Sequence, residues 1–180
     1  MSATNRGAER AKDDFYVTPR SAITPIVEHI PQGFTVVDAG CGTGAIGSVL
    51  REHGWDVVGV EKDRDRARAA VKAFGGGVVY VGDFLTLPQR WDPSKVVIVM
   101  NPPYSDALAW VQRALEVAPN SVTALLRLNF LGSLKRRSWL RANPPNVYVL
   151  PRRPSFGNGR TDATEYAWFQ WPGDGQCRVL

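Results

Sequence analysis

A wholly apolar segment of the chain is followed by four residues that could act on an amino group: Asn101, Pro102, Pro103 and Tyr104. Two prolines must end a strand, which explains the turn but not the asparagine and tyrosine that flank it. The Asn101 side-chain oxygen and the Pro102 carbonyl can each accept one N–H of an amino group, and the rigid prolines hold both acceptors in place. Tyr104 offers a flat face to a planar substrate. The pattern predicts catalysis at a planar nitrogen, with Asn101, Pro102 and Tyr104 as catalytic residues and Pro103 in contact with substrate.

A glycine-rich loop, residues 38–44 (DAGCGTG), follows an earlier apolar segment. Glycine is needed where the backbone turns tightly or where a ligand comes too close for a Cβ atom. The loop fits the G-x-G-x-x-[GA] pattern, so a dinucleotide fingerprint is formally present. On the loop alone, a structural turn and an NAD or FAD site stay open as alternatives to another nucleoside cofactor.

Acidic residues follow the next two apolar segments and narrow the choice of cofactor. Glu61 stands where an acid can accept hydrogen bonds from both hydroxyls of a ribose, which NAD and S-adenosylmethionine (SAM) both require. Asp83 is placed to accept a hydrogen bond from an adenine amine, and Phe84 to lie against the ring. A dinucleotide site has no general need for this third acid. The alternative for either acid is an ordinary position on a surface loop.

Strands and helices alternate along most of the chain, and this alternation has to position the residues above. Strands are predicted at 35–39, 55–61, 77–81, 95–100, 121–128, 146–150 and 165–171, and helices at 19–30, 44–53, 62–74 and 105–117, the last with Ser105 as its N-cap. The alternation predicts βαβ units, hence a doubly wound α/β fold with a mostly parallel sheet. The last two strands are expected to form an antiparallel hairpin at the sheet edge. Ligands bind such folds beyond the carboxyl ends of the strands, where the chemically distinctive residues lie.

Composition limits the classes of function. The 180 residues are 44% hydrophobic, and no apolar run approaches the ~20 residues of a membrane span. Residues 1–14 are polar, so we expect a disordered lead rather than a signal peptide, a single domain over 15–180, and a cytoplasmic protein. The two cysteines, Cys41 and Cys177, form no CxxC pattern, and we expect no metal site. The sequence gives no oligomeric state, and a monomer is compatible with it.

The net charge of +5 is concentrated in the C-terminal third of the chain. Residues 129–161 contain seven basic residues and no acidic one: Lys135, Arg136, Arg137, Arg141, Arg152, Arg153 and Arg160. A solvated surface is one explanation, although such surfaces usually mix charges of both signs. A stretch of one sign is typical of a surface that binds a polyanion, and nucleic acid is the natural candidate.

The series of a DAGCGTG loop, an acid after the second strand and GDF after the third resembles the class I SAM-dependent methyltransferases. That resemblance implies SAM as the cofactor. Its methionine part would lie against Asp38 and the loop glycines, its ribose against Glu61, and its adenine against Asp83 and Phe84. The segment 15–19 (FYVTP) resembles the one that completes the methionine pocket in these enzymes. The cofactor-binding residues expected on this basis are Tyr16, Thr18, Asp38, Gly40, Gly42, Gly44, Glu61, Asp83 and Phe84.

The tetrapeptide NPPY resembles the amino-methyltransferases, which methylate adenine N6 in DNA, adenine or guanine in RNA, or a glutamine amide in protein. The motif order resembles gamma-ordered DNA adenine methyltransferases, and RPSF with TDATEYAWF resembles small phage and prophage members without a separate target-recognition domain. The resemblance implies transfer of methyl to adenine N6 in duplex or single-stranded DNA with relaxed specificity. The expected substrate-binding residues are Pro103, Phe156, Lys135, Arg136, Arg137, Arg152 and Arg153.

Several alternatives stay open at this stage. Phe156 is either the aromatic residue that packs on a flipped base or an ordinary core residue, whereas Trp168, Phe169 and Trp171 are expected to pack within the sheet. RNA or protein could be the substrate of the same chemistry. A nucleic-acid-binding protein that has lost turnover and an NAD-dependent oxidoreductase are the remaining rivals.

Overall fold

The computed structural model describes residues 16–156 and 164–180. In this part of the chain, eight strands form one sheet in the order β3-β2-β1-β4-β5-β7-β6-β8. The strands are β1 Thr35–Ala39, β2 Val57–Glu61, β3 Val79–Val81, β4 Val96–Met100, β5 Val122–Arg127, β6 Asn146–Val149, β7 Tyr166–Trp171 and β8 Cys177–Val179. Only β7 runs against its neighbours among these strands, because it pairs antiparallel with both β5 and β6 while the other pairs are parallel. The predicted α/β class with a mostly parallel sheet is confirmed.

Helices cover both faces of the sheet. The α-helices are α1 Arg20–Ile23, α2 Ala45–Glu52, α3 Arg64–Ala73, α4 Ala107–Val117 and α5 Arg137–Ala142, and short 3₁₀ helices span Thr24–His29, Pro93–Lys95 and Leu128–Phe130. Side chains of α2 and α3 pack on one face, and those of α4 pack on the other. Successive residues of β4 alternate between these two cores and are all buried, which is why that segment is apolar throughout. No helix in the described ranges is long and apolar enough to cross a membrane.

Several predicted elements differ from the structure. The helix expected at 19–30 consists of α1 and the 3₁₀ helix Thr24–His29. The helix expected at 105–117 begins at Ala107, and Ser105 is not its cap, because the Ser105 hydroxyl donates to the Asp106 carboxylate at 3.0 Å instead. The C-terminal strands do pair antiparallel, but β7 inserts between β5 and β6, and the short strand β8 forms the edge. All three β8 residues are exposed, so they carry no alternation of buried and exposed positions that a sequence pattern could show.

The C-terminal aromatic residues lie where sheet packing was expected. Trp168, Phe169 and Trp171 are at most 1% exposed. The indole N–H of Trp168 donates to the Ala22 carbonyl at 2.7 Å, and that of Trp171 donates to the Asn143 carbonyl at 3.0 Å. Both buried indoles thus have the partner that a buried N–H requires. These residues join the antiparallel end of the sheet to the rest of the core.

Candidate active site

One cleft lies beyond the carboxyl ends of β1, β2, β3 and β4 and holds about 1040 Å³ of space, its open mouth included. The predicted catalytic and cofactor-binding residues that line it are Tyr16, Thr18, Asp38, Gly40, Glu61, Asp83, Phe84, Asn101, Pro102, Pro103 and Tyr104. The structure therefore brings the two sequence motifs to a single site.

The glycine loop between β1 and α2 follows a path that side chains would obstruct. Gly40, Gly42 and Gly44 have φ angles of 70°, 55° and 91°, a region that residues with a Cβ atom rarely adopt. A Cβ atom on Gly40 would also come within 3.0 Å of the Trp110 ring. Glycine at these positions permits the backbone angles of the loop, and at Gly40 it also lets the loop pass against Trp110 of α4.

Asp38 is the most deeply buried acid of the cleft, at 1% exposure. Its Oδ2 accepts a hydrogen bond from the Gly47 N–H at 2.8 Å, whereas Oδ1 has no partner among the described residues. Burial is the main cause that raises the pKa of Asp38 to about 7; the Gly47 N–H acts to lower the pKa, and the nearby charge of Glu61 adds a smaller increase. A buried acceptor without a partner is costly, and a cationic or N–H-bearing ligand group in the cleft would satisfy it.

Glu61, at the end of β2, ties the acidic part of the cleft to the glycine loop. Its two oxygens accept hydrogen bonds from the N–H groups of Gly42 at 2.8 Å and Asp63 at 2.9 Å. Each carboxylate oxygen has a second lone pair, so the side chain can still accept from ribose hydroxyls. Gly42 and Gly44 themselves are not among the lining residues, and Gly42 contributes through this hydrogen bond.

Asp83 and Phe84 follow β3 and line the cleft. Asp83 is exposed and accepts the Leu85 N–H at 2.9 Å through one carboxylate oxygen. Phe84 is 3% exposed, and its ring lies 5.1 Å from that of Trp110 with an interplanar angle of 31°. Trp110 is a lining residue that sequence reasoning missed. Its position on the buried face of α4 makes it indistinguishable in sequence from an ordinary core residue.

These side chains fit the groups that SAM carries. Asp38 Oδ1 is an unsatisfied acceptor that would suit the methionine ammonium. Glu61 would offer acceptors to the ribose, and Asp83 with Phe84 would receive the adenine. Cys41 also lines the cleft, but burial raises the pKa of its thiol far above the ordinary value. The thiol is therefore protonated and is not a nucleophile at neutral pH.

The tetrapeptide is held by hydrogen bonds to the segment that precedes α1. The Asn101 Nδ2 donates to the Thr18 hydroxyl at 3.0 Å, and the Tyr104 hydroxyl donates to Asn101 Oδ1 at 3.1 Å. Thr18 is 5% exposed, so it serves as a fixed support for Asn101. The Asn101 oxygen keeps a second lone pair for another donor. The amide therefore has a defined orientation before any substrate is present.

A cation and several aromatic rings surround Tyr104. The Arg127 guanidinium lies over the Tyr104 ring at 4.8 Å, and its Nε donates to the Tyr166 hydroxyl at 3.0 Å. Burial, together with the Tyr166 hydroxyl, raises the pKa of Tyr104 well above its ordinary value, so its hydroxyl remains a donor. Neither Arg127 nor Tyr166 was predicted, although Arg127 ends β5 as Glu61 ends β2.

Phe156 lies next to the cleft rather than in its wall. Its ring packs edge-on against Tyr16 at 6.1 Å and against Tyr166 at 5.2 Å, and its side chain is half-buried. Tyr16 lines the cleft, so Phe156 is one ring removed from it. The structure is compatible with either interpretation of Phe156, and its contact with a substrate base stays a prediction.

The predicted phosphate-binding residues differ in their surroundings. Lys135, Arg137 and Arg141 are exposed. Arg136 instead donates to the carbonyls of Asn129 at 3.1 Å and Phe130 at 2.8 Å, and its guanidinium lies 4.7 Å from the centre of the Phe130 ring. Arg136 therefore holds the turn between β5 and α5, whatever it contributes to substrate binding.

The second basic group follows β6. Arg152 is exposed, and Arg153 pairs with Glu165, to which its Nε donates at 3.0 Å. The ion pair with Arg153 lowers the pKa of Glu165. Arg160 lies outside the described residues. Substrate contacts by Arg152 and Arg153 stay predictions.

Comparison with known sequences identifies a family model and a curated relative. A family model of the methionine biosynthesis protein MetW matches residues 20–100, which include β1 to β4 and end just before Asn101. The ribosomal RNA small subunit methyltransferase C of Cronobacter sakazakii is 31% identical over 131 residues, or 68% of this chain and 35% of the relative. The chain thus spans about a third of the length of that relative.

Solved structures match a larger share of the chain. A Pyrococcus horikoshii protein described as a candidate RNA methyltransferase has a TM-score of 0.69 at 18% identity, with 93% of each chain covered. The magnesium protoporphyrin IX methyltransferase of Synechocystis PCC 6803, solved with bound SAM, has a TM-score of 0.54 at 17% identity and covers 82% of this chain and 76% of its own. The chain has the fold of the SAM-dependent methyltransferases. The cofactor predicted from the sequence is the one bound in the Synechocystis structure.

Proposed function

We propose that this protein is a SAM-dependent methyltransferase that acts on an exocyclic amino group of a nucleic-acid base, with adenine N6 in DNA as the first candidate. The observation that carries the proposal is the shared cleft. Acids suited to SAM line one part of it, and Asn101 and Pro102 line another. A cofactor and an amino group can therefore be held against each other in one cleft.

The residues of the tetrapeptide account for the reaction. SAM, when bound, supplies a methyl group on an electron-poor sulfonium sulfur. An adenine N6 amine is a poor nucleophile because its lone pair is delocalised into the ring. Asn101 Oδ1 and the Pro102 carbonyl can each accept one of its N–H groups, which draws the nitrogen toward sp³ geometry and withdraws its lone pair from conjugation with the ring. Since Thr18 and Tyr104 already fix the Asn101 amide, little reorganisation accompanies the reaction.

The base has to leave the stack before it can enter the cleft, at a cost of a few kcal/mol in a duplex. Arg127 lies over one face of the Tyr104 ring, so we propose that the base stacks on the opposite face. The exposed Lys135, Arg137 and Arg141 would contact phosphates and give binding without sequence readout. Relaxed specificity follows from this arrangement, and a methylation map with one long fixed site would contradict it.

RNA is the second candidate substrate, and the similarity to a ribosomal RNA methyltransferase favours it. The chemistry at Asn101 and Pro102 would be the same, because it depends on the amino group and not on the sugar. A contact to the 2′-hydroxyl is what would distinguish the two nucleic acids. The rates of methyl transfer to DNA and to RNA, measured side by side, therefore distinguish the two candidate substrates.

Transfer of radiolabelled methyl from SAM tests the proposal directly. Duplex DNA, single-stranded DNA, total RNA and protein are offered separately, and the labelled product is digested to nucleosides or amino acids. Label in N6-methyldeoxyadenosine supports the DNA proposal, and label in an RNA nucleoside supports the second candidate. Absence of label in every substrate, with SAM bound, would refute methyl transfer and favour a nucleic-acid-binding role.

A further inference from the structure

Thr18 joins two parts of the candidate active site. Its side chain lines the cleft and is 5% exposed, and its hydroxyl accepts a hydrogen bond from Asn101 Nδ2 at 3.0 Å. The two residues are 83 positions apart in the chain, so this contact does not come from the local turn that the prolines form. Thr18 was predicted as a cofactor-binding residue, and it also lies against the amide that is proposed to receive the substrate. One hydroxyl therefore lies between the two functions of the cleft.

The backbone that carries Thr18 is anchored to the sheet. The next residue, Pro19, is the N-cap of α1, and its carbonyl accepts the Ala22 N–H at 2.9 Å. The Ala22 carbonyl accepts the Trp168 indole N–H at 2.7 Å, which ties the start of α1 to β7. Ala22 and Trp168 are at most 3% exposed. Because packing holds this segment, removal of the Thr18 hydroxyl alone should leave the backbone in place.

The Thr18 hydroxyl has a proton that the contact with Asn101 does not use. The oxygen accepts from Asn101 Nδ2, and no residue in the described ranges 16–156 and 164–180 accepts the proton in return. A hydroxyl provides one donor and two acceptor positions, and a buried donor without a partner is costly. SAM carries a carboxylate and ribose oxygens, all of which accept hydrogen bonds. Thr18 can therefore accept from Asn101 and donate to a cofactor acceptor at the same time.

The hydrogen-bonding state of Thr18 decides which end of the Asn101 amide faces the substrate. Because a hydroxyl can donate as well as accept, Thr18 alone would also tolerate a turned amide whose Oδ1 accepts its proton. That amide would present Nδ2 to the cleft, and Nδ2 cannot accept an N–H from a substrate amino group. Once a cofactor acceptor engages the Thr18 proton, Thr18 can only accept from Asn101, and Nδ2 has to face it. Oδ1 is then left for the Tyr104 hydroxyl and the substrate, as in the observed arrangement.

We propose that Thr18 is a positioning residue that couples cofactor binding to the orientation of Asn101. Its hydroxyl donates to an acceptor of bound SAM and accepts from Asn101 Nδ2, which holds the amide oxygen toward the substrate amino group. The proposal rests on the function proposed above for Asn101. It gives cofactor binding a second effect besides the supply of methyl, because the acceptor for the substrate is set when SAM binds.

Two Thr18 variants and one control test the proposal by steady-state kinetics and calorimetry. Thr18→Val keeps the shape but removes the hydroxyl, so it should lower kcat by about 10- to 100-fold and weaken SAM binding by about 3- to 10-fold. Thr18→Ser keeps the hydroxyl and should stay close to wild type in both measurements. Thr123→Val is the matched control and should also stay close to wild type. Thr123 is 1% exposed and likewise accepts from a side-chain amide, that of Gln170 at 3.3 Å, but it does not line the cleft.

The comparison of the two Thr18 variants separates the hydroxyl from the rest of the side chain. Equal losses of kcat in Thr18→Val and Thr18→Ser would overturn the proposal, because they would mean that the methyl group matters rather than the hydroxyl. A kcat unaffected by Thr18→Val would overturn it as well. Thermal melting of each variant identifies any loss that comes from unfolding, and Thr18→Ala takes the place of Thr18→Val if the valine variant does not fold.

A second readout does not depend on methyl transfer. The side-chain amide signals of Asn101 in a ¹⁵N spectrum, assigned by their loss in Asn101→Asp, should shift or sharpen when saturating S-adenosylhomocysteine is added to wild type, Thr18→Ser or Thr123→Val. The same addition should change them much less in Thr18→Val. If wild type methylates nothing and the signals follow this pattern, the proposed function fails and the coupling through Thr18 stands. If the signals respond equally in Thr18→Val, or do not respond in wild type, the coupling is refuted whether or not methyl transfer is observed.

Discussion

The variant Asp38→Asn isolates the free-energy cost of ionising the most buried acid in the cleft. In the folded protein, burial raises the pKa of Asp38 from 3.8 to about 7. A group whose folded pKa lies above its unfolded value contributes stability that is fully present below about pH 4 and is lost as the pH rises through about 7. Asparagine has nearly the same shape and no charge at any pH. The difference in unfolding free energy between the variant and the wild type should therefore depend on pH through this one group.

The size of the effect follows from the separation of the two pKa values. About three pH units at ~1.4 kcal/mol per unit correspond to about 4 kcal/mol. This is a large fraction of the ~5–15 kcal/mol that stabilises an ordinary domain. Between pH 4 and pH 7 the unfolding free energy of Asp38→Asn should rise relative to wild type by up to this amount, and above pH 7 the difference should stay constant.

Urea unfolding at half-unit steps from pH 4 to pH 8, at constant ionic strength, measures this difference. Subtraction of the wild-type curve cancels the titration of all groups that the two proteins share. Asp65→Asn is the matched control, since it removes a carboxylate whose side chain is 88% exposed on α3. Parallel curves for Asp38→Asn and wild type would refute the argument, because they would mean that Asp38 ionises in the fold without penalty.

A cationic ligand should offset part of the free-energy cost of ionising Asp38, because it stabilises the carboxylate. If the SAM ammonium lies near Asp38 Oδ1, binding favours the ionised carboxylate, so the affinity for SAM should rise as the pH increases through about 7 and then level off. Asp38→Asn should bind SAM more weakly, with a flat pH profile over this range. Isothermal titration calorimetry at each pH measures both, and a pH-dependent affinity that persists in the variant would exclude Asp38 as its source.

Three further variants test the remaining assignments. Gly40→Ala should destabilise the fold by about 1–2 kcal/mol in urea unfolding, because its φ of +70° is unfavourable and its Cβ would meet Trp110; unchanged stability would contradict the conformational argument. Asn101→Ala should lower kcat by about 100-fold or more while calorimetry shows SAM affinity near wild type, and loss of SAM binding would make its assigned role wrong. Lys135→Gln with Arg137→Gln should weaken DNA binding for all sequences and reduce the slope of log K against log salt by about two, whereas an unchanged slope would move the nucleic-acid path elsewhere.

Most of the predicted cofactor-binding residues line one cleft, and this grouping could be predicted because its determinants are local. The strand at 35–39 was predicted with the bounds that β1 has, and the loop after it must be glycine-rich because of its own backbone angles. The acids at 61 and 83 each follow a strand directly, and the carboxyl ends of parallel strands meet at one edge of the sheet. The two acids could therefore be expected close together without knowledge of how distant strands pair.

The surroundings of Tyr104 could not be predicted in the same way because they depend on the antiparallel part of the sheet. Arg127 faces Tyr166 only in the observed β5–β7 register, and a shift of one residue would place Ala167 opposite it. Such a shift also turns alternate side chains to the other face, and the contact of the Tyr166 ring with Tyr104 would be lost. A charged residue at the end of an apolar strand was visible in the sequence, as it was at Glu61. The sequence did not show that Tyr166 would lie opposite Arg127, because β7 inserts between two strands that precede it in the chain.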